Sequence, residues 1–233
     1  MLEAMILHPL FGLGLTISAY IAATALWKRL GMVSLLHPVL ISTLLVIAVL
    51  LATGLPYPIF HSQAFLLNEA LGVVIVLLAV PLCRNAFLIR NAGVSLGIAL
   101  IIGSIIAITS ALALPVAMDA NSSLLATLAP KSTTAAVAVE ISAVQGGAIG
   151  LTAVVVISTG IFGAVFGQPV LNSVGIRDPR AVGFALGLAS HAIGTARAFQ
   201  ISDTTGSFAS LGMILNAILT IALVPIFLSF FGS

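Results

Sequence analysis

The groups able to do chemistry in these 233 residues fall into two short runs. The first is Ala129-Pro130-Lys131-Ser132-Thr133-Thr134, an ammonium and a row of hydroxyls ahead of the small apolar sequence Ala135-Ala136-Val137-Ala138-Val139 and then Glu140. Pro130 lacks a backbone N–H and fixes φ near the helical value, and Ser132, Thr133 and Thr134 are N-cap residue types, so a helix is expected to start here. Its first turn would show unpaired backbone N–H groups and the positive end of the helix dipole, to which Lys131 adds a full charge. Such a terminus favours an anion. Half-helix N-termini at membrane depth are one way transporters hold carboxylates, and a carboxylate substrate is the expectation.

The second run is Ser190-His191-Ala192-Ile193-Gly194-Thr195-Ala196-Arg197. Of the eight basic residues, six lie in loop clusters (Lys28 with Arg29, Arg84 with Arg90, Arg177 with Arg180), and the two that remain, Lys131 and Arg197, sit one in each run. A charge inside a bilayer costs at least about 2.5 kcal/mol at a helix centre, which marks both as substrate ligands unless they snorkel to the interface. Thr195 can bond substrate or the freed carbonyls of a broken helix; Gly194 allows close backbone approach, for binding or for packing. Glu140 and His191 are the candidates for proton coupling, although Glu140 could simply reach water and His191 could be structural. His8, His37 and His61 stand near span ends and receive no role. Cys83, the single cysteine, is read as packing. There is no nucleophile beside a base, no phosphate loop and no metal spacing, so neither an enzyme nor a metal or cofactor is expected.

Composition sets the medium in which these groups act. With 61% hydrophobic and 6% charged residues, the chain departs from soluble domains, whose charged fraction is nearer a quarter. Apolar stretches of about 20 residues follow one another, which suits helices crossing a core of roughly 30 Å rather than the alternating strands of a barrel. Net charge is only +2, and nucleic acid is not an expected partner. No basic segment with a small-residue cleavage site opens the chain, so no removable leader is expected.

Spans are expected over about Pro9–Trp27, Leu35–Ala52, Phe65–Leu82, Ala92–Leu114, Ala148–Phe166, Ala181–Phe199 and Ser207–Phe230. Gly54-Leu55-Pro56-Tyr57-Pro58 reads as a rigid loop, Pro81 as a potential break, and Pro115 as the end of the fourth span. Gln145-Gly146-Gly147 interrupts the pattern, leaving Ser132 to Val144 short for a crossing. Gly160, Gly163 and Gly167 suit helix packing better than binding. Placing the three basic clusters in the cytoplasm puts the N-terminus outside and makes Ser132 to Val144 enter and return on one side. The same bias leaves Ala181–Phe199 open: a re-entrant arm would put the C-terminus outside, a full span inside.

Leu128-Ala129-Pro130-Lys131-Ser132-Thr133-Thr134, Gly160-Ile161-Phe162-Gly163-Ala164-Val165-Phe166-Gly167 and Ala189-Ser190-His191-Ala192-Ile193-Gly194-Thr195-Ala196-Arg197 together resemble the LrgB/CidB family of bacterial membrane proteins. The similarity covers most of the chain and is strongest from about Leu128 to Gly232. It implies a multi-pass protein of the cytoplasmic membrane that acts with a smaller LrgA/CidA-type membrane partner. Members were first described as holin-like or antiholin-like effectors of murein hydrolase export, and related bacterial and plastid proteins are linked to transport of pyruvate, glycolate and glycerate. For Lys131, Ser132, Thr133, His191, Thr195 and Arg197 the resemblance implies membership of two signature segments. His37-Pro38 stands where the family often shows Asn-Pro.

The combined expectation is an all-helical polytopic membrane protein forming one integral domain over 1–233. It would have about seven or eight spanning or re-entrant segments, two of them interrupted, compatible with an inverted repeat. It would carry a small monocarboxylate held by Lys131, Ser132, Thr133, Thr134, His191, Gly194, Thr195 and Arg197, and its partners would be the lipid bilayer, the LrgA/CidA-type protein and further copies of itself. The alternative is a holin-like or antiholin-like component that modulates murein hydrolase export and lysis.

Overall fold

The structure, a computed structural model, describes residues 6, 8–30, 38–77, 79–84, 86–91 and 93–231; His37, and with it the Asn-Pro comparison, lies outside the described residues. Among the described residues every regular element is a helix. The chain forms two compact units, Met1–Ala79 and Val80–Ser233.

The first unit contains α1 (Phe11–Arg29), α2 (Pro38–Thr53), α3 (Tyr57–Gln63) and α4 (Phe65–Leu77). The stretch expected as a rigid loop instead opens α3. Pro56 is its N-cap and Pro58 lies in its first turn, where a missing N–H costs nothing. Gly12 of α1 seats α3, since a Cβ there would lie 2.7 Å from the Phe60 carbonyl, and Gln63 Nε2 donates to the Ile6 carbonyl at 2.9 Å.

Along the second unit follow α5 (Ala79–Arg84), α6 (Ala86–Asn91), α7 (Gly93–Ala117), α8 (Ser122–Leu128), α9 (Ala135–Val144), α10 (Ile149–Ser173), α11 (Pro179–Ile201) and α12 (Asp203–Phe231). Helices α7, α10 and α12 are long and apolar enough to cross a membrane. Cys83 on α5 is exposed, not packed as expected. Pro115 does not end α7. The helix runs to Ala117 and closes with Asp119 at φ 51°, donating its N–H to Val116 while the Ala120 N–H reaches the Pro115 carbonyl at 3.0 Å. Gly146 after α9 (φ 77°) and Gly175 after α10 (φ 81°) repeat this closure, with Gly147 N–H on the Ser142 carbonyl and Ile176 N–H on that of Leu171.

Between α7 and α10 the chain enters and returns. Asn121 caps α8, accepting the Leu124 N–H at 2.9 Å; residues 129–134 turn; α9 then runs back. The return is fixed by Thr152 of α10, whose hydroxyl meets Ser142 Oγ at 2.7 Å and the Thr127 carbonyl at 3.2 Å, so the end of α9 stands beside the entering arm. The sequence located the returning arm and missed α8, which is too short to show a helical period.

Helix α11 is a second hairpin, resolving what charge bias left open. His191 has φ 42° and ψ −133°, outside helical space, and breaks the helix. After it, Gly194 packs against the Leu186 carbonyl and Ser190, so the second arm folds back on the first. The entering arm runs parallel to α12: Gly183 meets the Thr205 carbonyl, Gly187 that of Ala209, and Gly212 approaches the Phe184 carbonyl at 2.6 Å from an added Cβ. A side chain at Gly183 or Gly187 would drive these backbones apart.

Helices α7 and α12 are also parallel. Leu96 and Leu100 pack with Phe208 and Leu211, Ser104 bonds Asn216, and Ile108 and Leu112 share a cluster with Val224. The far ends of α7 and α12 therefore lie on one face of the membrane, and the loop before α11 lies on the other, where α10 ends. Each hairpin precedes a spanning helix, and the two hairpin–helix pairs point in opposite directions, the arrangement of an inverted repeat.

In a Cys83→Ser background, Met118→Cys and Phe230→Cys should react with a membrane-impermeant maleimide from one face and Ile176→Cys from the other; labelling of Phe230→Cys and Ile176→Cys from the same face would overturn the re-entrant path of α11.

Asp178 caps α11, accepting the Arg180 N–H at 2.8 Å and pairing with its guanidinium at 2.6 Å. Arg180 holds this carboxyl down to about 2, against an ordinary 3.8. A depressed folded-state value contributes stability above the free carboxyl's pKa, and that contribution is lost as pH falls from about 4 towards about 2. Because the pair is solvent-exposed, the effect is small. Asp178→Ala should melt slightly below wild type at about pH 6, with the difference shrinking below about pH 4 and vanishing only below about pH 2.

Candidate functional site

The first hairpin's apex is made by the turn that Pro130 initiates: Lys131 N–H reaches the Leu128 carbonyl and Thr133 N–H that of Pro130, both at 3.1 Å. This winds Ala129 to Ser132 tightly and leaves Thr134 as the N-cap of α9, with a side chain that makes no capping bond. Thr133 is 1% exposed, and its hydroxyl has no hydrogen-bond partner among the described residues. Lys131 is half-buried and has no carboxylate partner among the described residues. The apex therefore presents an ammonium, an unanswered hydroxyl and the open first turn of a ten-residue helix.

The second apex is His191, 3% exposed, whose Nε2 donates to the Val156 carbonyl of α10 at 2.9 Å. That bond leaves Nδ1 of the neutral ring as an acceptor. A non-glycine residue at positive φ costs about 1–3 kcal/mol, so packing must hold it there. The glycines of α10 supply the seat: a Cβ at Gly160 would lie 2.6 Å from His191 Cε1, one at Gly163 would overlap Ser190, and one at Gly167 would meet Leu186 at 2.6 Å. The packing role expected for these glycines is thus a specific one, carrying the hairpin.

One residue joins the two apices. Asn216, in the middle of α12 and 1% exposed, donates through Nδ2 to the Ser132 carbonyl at 3.0 Å and the Leu188 carbonyl at 3.1 Å, while its Oδ1 accepts the Ser104 hydroxyl of α7 at 2.7 Å. All of its polar atoms are engaged, and the partners are carbonyls that broken helices leave free in the membrane. Asn216 lies within the span expected over Ser207–Phe230 and has no role in the sequence analysis. A lone carboxamide at the centre of such a span was the available signal.

The other expected site residues divide. Ser132, 7% exposed, and Thr134 stand with Lys131 and Thr133 at the first apex. Gly194 is occupied in closing the second hairpin, and Thr195 is buried with its hydroxyl 3.8 Å from Met213 Sδ. Arg197 lies about 9 Å back along the returning arm from His191, at 1.5 Å rise per residue, and bonds Gln168 near the end of α10 and Gln200. Its guanidinium is therefore held towards the membrane face from which α11 enters. Glu140 is exposed on α9 and borders a groove against α12, away from the apices.

Spanning helices and two opposed re-entrant hairpins, joined at their tips by a buried asparagine, define a multi-pass membrane protein with a polar centre inside the bilayer. The chain belongs to the LrgB-like family, whose model matches residues 16–230. It is 32% identical over 197 residues to the holin-like protein CidB of Staphylococcus epidermidis, covering 84% of this chain and 86% of the relative. The holin-like protein CidB of Staphylococcus aureus is likewise 32% identical over 84% of this chain and 86% of its own length. YwbG of Bacillus subtilis is 32% identical over 93% and 96%. No solved structure matches the chain. The protein is thus a multi-pass protein of the cell membrane.

Asn216→Ala removes three bonds. At about 0.6 kcal/mol for a typical side-chain bond within a membrane, the loss is about 2 kcal/mol. The purified variant should unfold at lower temperature, and Ser104→Ala should lower it further only slightly, because the two share a bond. Additive losses would reject the shared network.

Proposed function

We propose that this protein carries a small monocarboxylate, of pyruvate or glycolate size, across the cell membrane, with the anion held at the meeting of the two hairpin tips. The observation that carries the reading is the attachment of both broken segments to Asn216, at the apex that carries Lys131, which has no carboxylate partner, and the buried Thr133 hydroxyl, which has no hydrogen-bond partner, among the described residues. On this reading Lys131 balances the charge, while Ser132, Thr133, Thr134 and the open turn of α9 donate to the carboxylate oxygens. From the second hairpin, Nδ1 of His191 offers an acceptor to a substrate hydroxyl, and Gly194 and Thr195 shape the wall. Arg197 acts at the mouth, attracting the anion rather than holding it at the centre. Proton coupling falls to His191 or Glu140. An LrgA/CidA-type small membrane protein is the partner this reading admits, and assembly of several copies is compatible with it.

The second reading is a holin-like or antiholin-like component that modulates murein hydrolase export and lysis, and the naming of the staphylococcal relatives as holin-like favours it. Such a protein would need an assembling surface but no unpaired polar apex. Purified protein in liposomes separates the two. A carrier gives saturable carboxylate uptake that a second carboxylate competes, and Lys131→Ala, verified as folded, reduces it at least about 100-fold, the loss of a charged transition-state contact. Leakage of unrelated solutes, equal in wild type and variant, would overturn the carrier reading in favour of a pore.

A further inference from the structure

Glu140 stands outside the polar centre, and its surroundings suggest a different task. It borders a groove of about 490 Å³ between α9 and α12, formed by Ala136, Val137 and Val144 on one side and Ile221 and Pro225 on the other. Apart from Glu140 and Gln145, every lining residue is apolar. The carboxylate is exposed to this groove and has no cationic partner among the described residues. An unpaired carboxylate on an apolar wall inside a bilayer is costly, and the cost falls when a cation arrives.

The length of the groove identifies the occupant. Helix α9 has ten residues, so it is about 15 Å long, half of a hydrocarbon core of roughly 30 Å. It starts at the apex, level with the middle of α12, and runs towards the end of α7, where Ile141 shares a cluster with Val116 and Ala120. The groove thus has the depth of one leaflet. A spanning helix of a partner would overrun it, whereas one lipid molecule fits: an acyl chain along Ala136 and Ile221, with its headgroup towards Gln145. A carboxylate excludes anionic headgroups and favours one that ends in a primary ammonium, which carries three N–H donors.

We propose that this groove binds an aminophospholipid of the leaflet facing the loop between α7 and α8, with the lipid ammonium paired to Glu140. The lipid supports α9 from behind, on the helix whose first turn forms the hairpin apex. The inference rests on Glu140 and the groove alone and holds whether or not the protein carries a carboxylate.

The test uses the full chain in detergent micelles, titrated with phosphatidylethanolamine or phosphatidylglycerol, and reads both the unfolding midpoint and bound lipid by native mass spectrometry. The midpoint rise with phosphatidylethanolamine should be at least about double that with phosphatidylglycerol, since a ligand that binds only the folded state stabilises it in proportion to its affinity. Glu140→Gln should remove this preference while leaving the phosphatidylglycerol response unchanged. Ala136→Phe, which keeps the carboxylate but fills the groove, should also remove it, and it supplies the test if Glu140→Gln fails to fold. Equal responses to the two lipids, a preference that survives either variant, or loss of a second copy of the chain instead of a lipid on substitution of Glu140 would overturn the proposal.

Discussion

A carbonyl freed from its helix inside a bilayer has no water to turn to, and the second unit of this protein is arranged around that constraint. Two helices are broken, at Pro130 to Thr133 and at His191, and each break leaves backbone acceptors near the middle of the membrane. Asn216 answers one acceptor from each side of the centre, and Ser104 holds the carboxamide in place. This explains why α12 and α7 lie parallel and adjacent: their midpoints must meet for one side chain to serve both hairpins. It also explains the density of glycine around α11, because a hairpin reaching the membrane centre beside two spanning helices needs backbone-to-backbone contact at Gly183, Gly187 and Gly212.

Satisfying the carbonyls leaves the donors. Thr134 does not cap α9 with its side chain, and among the described residues the buried Thr133 hydroxyl has no partner and Lys131 faces no carboxylate. The second apex is more self-contained, with His191 on Val156 and Gly194 closed against Leu186. The two tips are therefore chemically unequal although their folds mirror each other. The first offers donors and charge; the second offers shape and an acceptor.

Charge placement sorts the remaining ionic groups by depth. Arg180 and Asp178 neutralise each other at the mouth of the second hairpin, Arg197 shares two glutamines one step further in, and Lys131 adjoins Ser132, whose carbonyl Asn216 holds at the centre. Glu140 lies to the side, on the groove between α9 and α12. Each position follows from local cost, since charge at the surface is inexpensive and charge at the centre persists only where a ligand or a function compensates it.

Much of this was legible from residue types. Composition and apolar runs define a polytopic helical protein, polar interruptions of those runs locate both hairpin tips, and the distribution of arginine and lysine requires the first hairpin to return. Local chemistry was decisive in each case: a proline, a hydroxyl cluster or a charge in hydrocarbon has few tolerable conformations. The path of α11 was not legible, because one residue at positive φ reverses the chain and His191 carries no sequence mark of that reversal. Helix α8 and the Tyr57–Gln63 helix were hidden by their brevity. Asn216 was visible but uninterpretable, since its partners lie 112, 84 and 28 residues away along the chain. Which carbonyls a carboxamide meets, and whether Arg197 stands at the centre or the mouth, depends on how spans pack against one another, and that is decided only when the whole unit is folded.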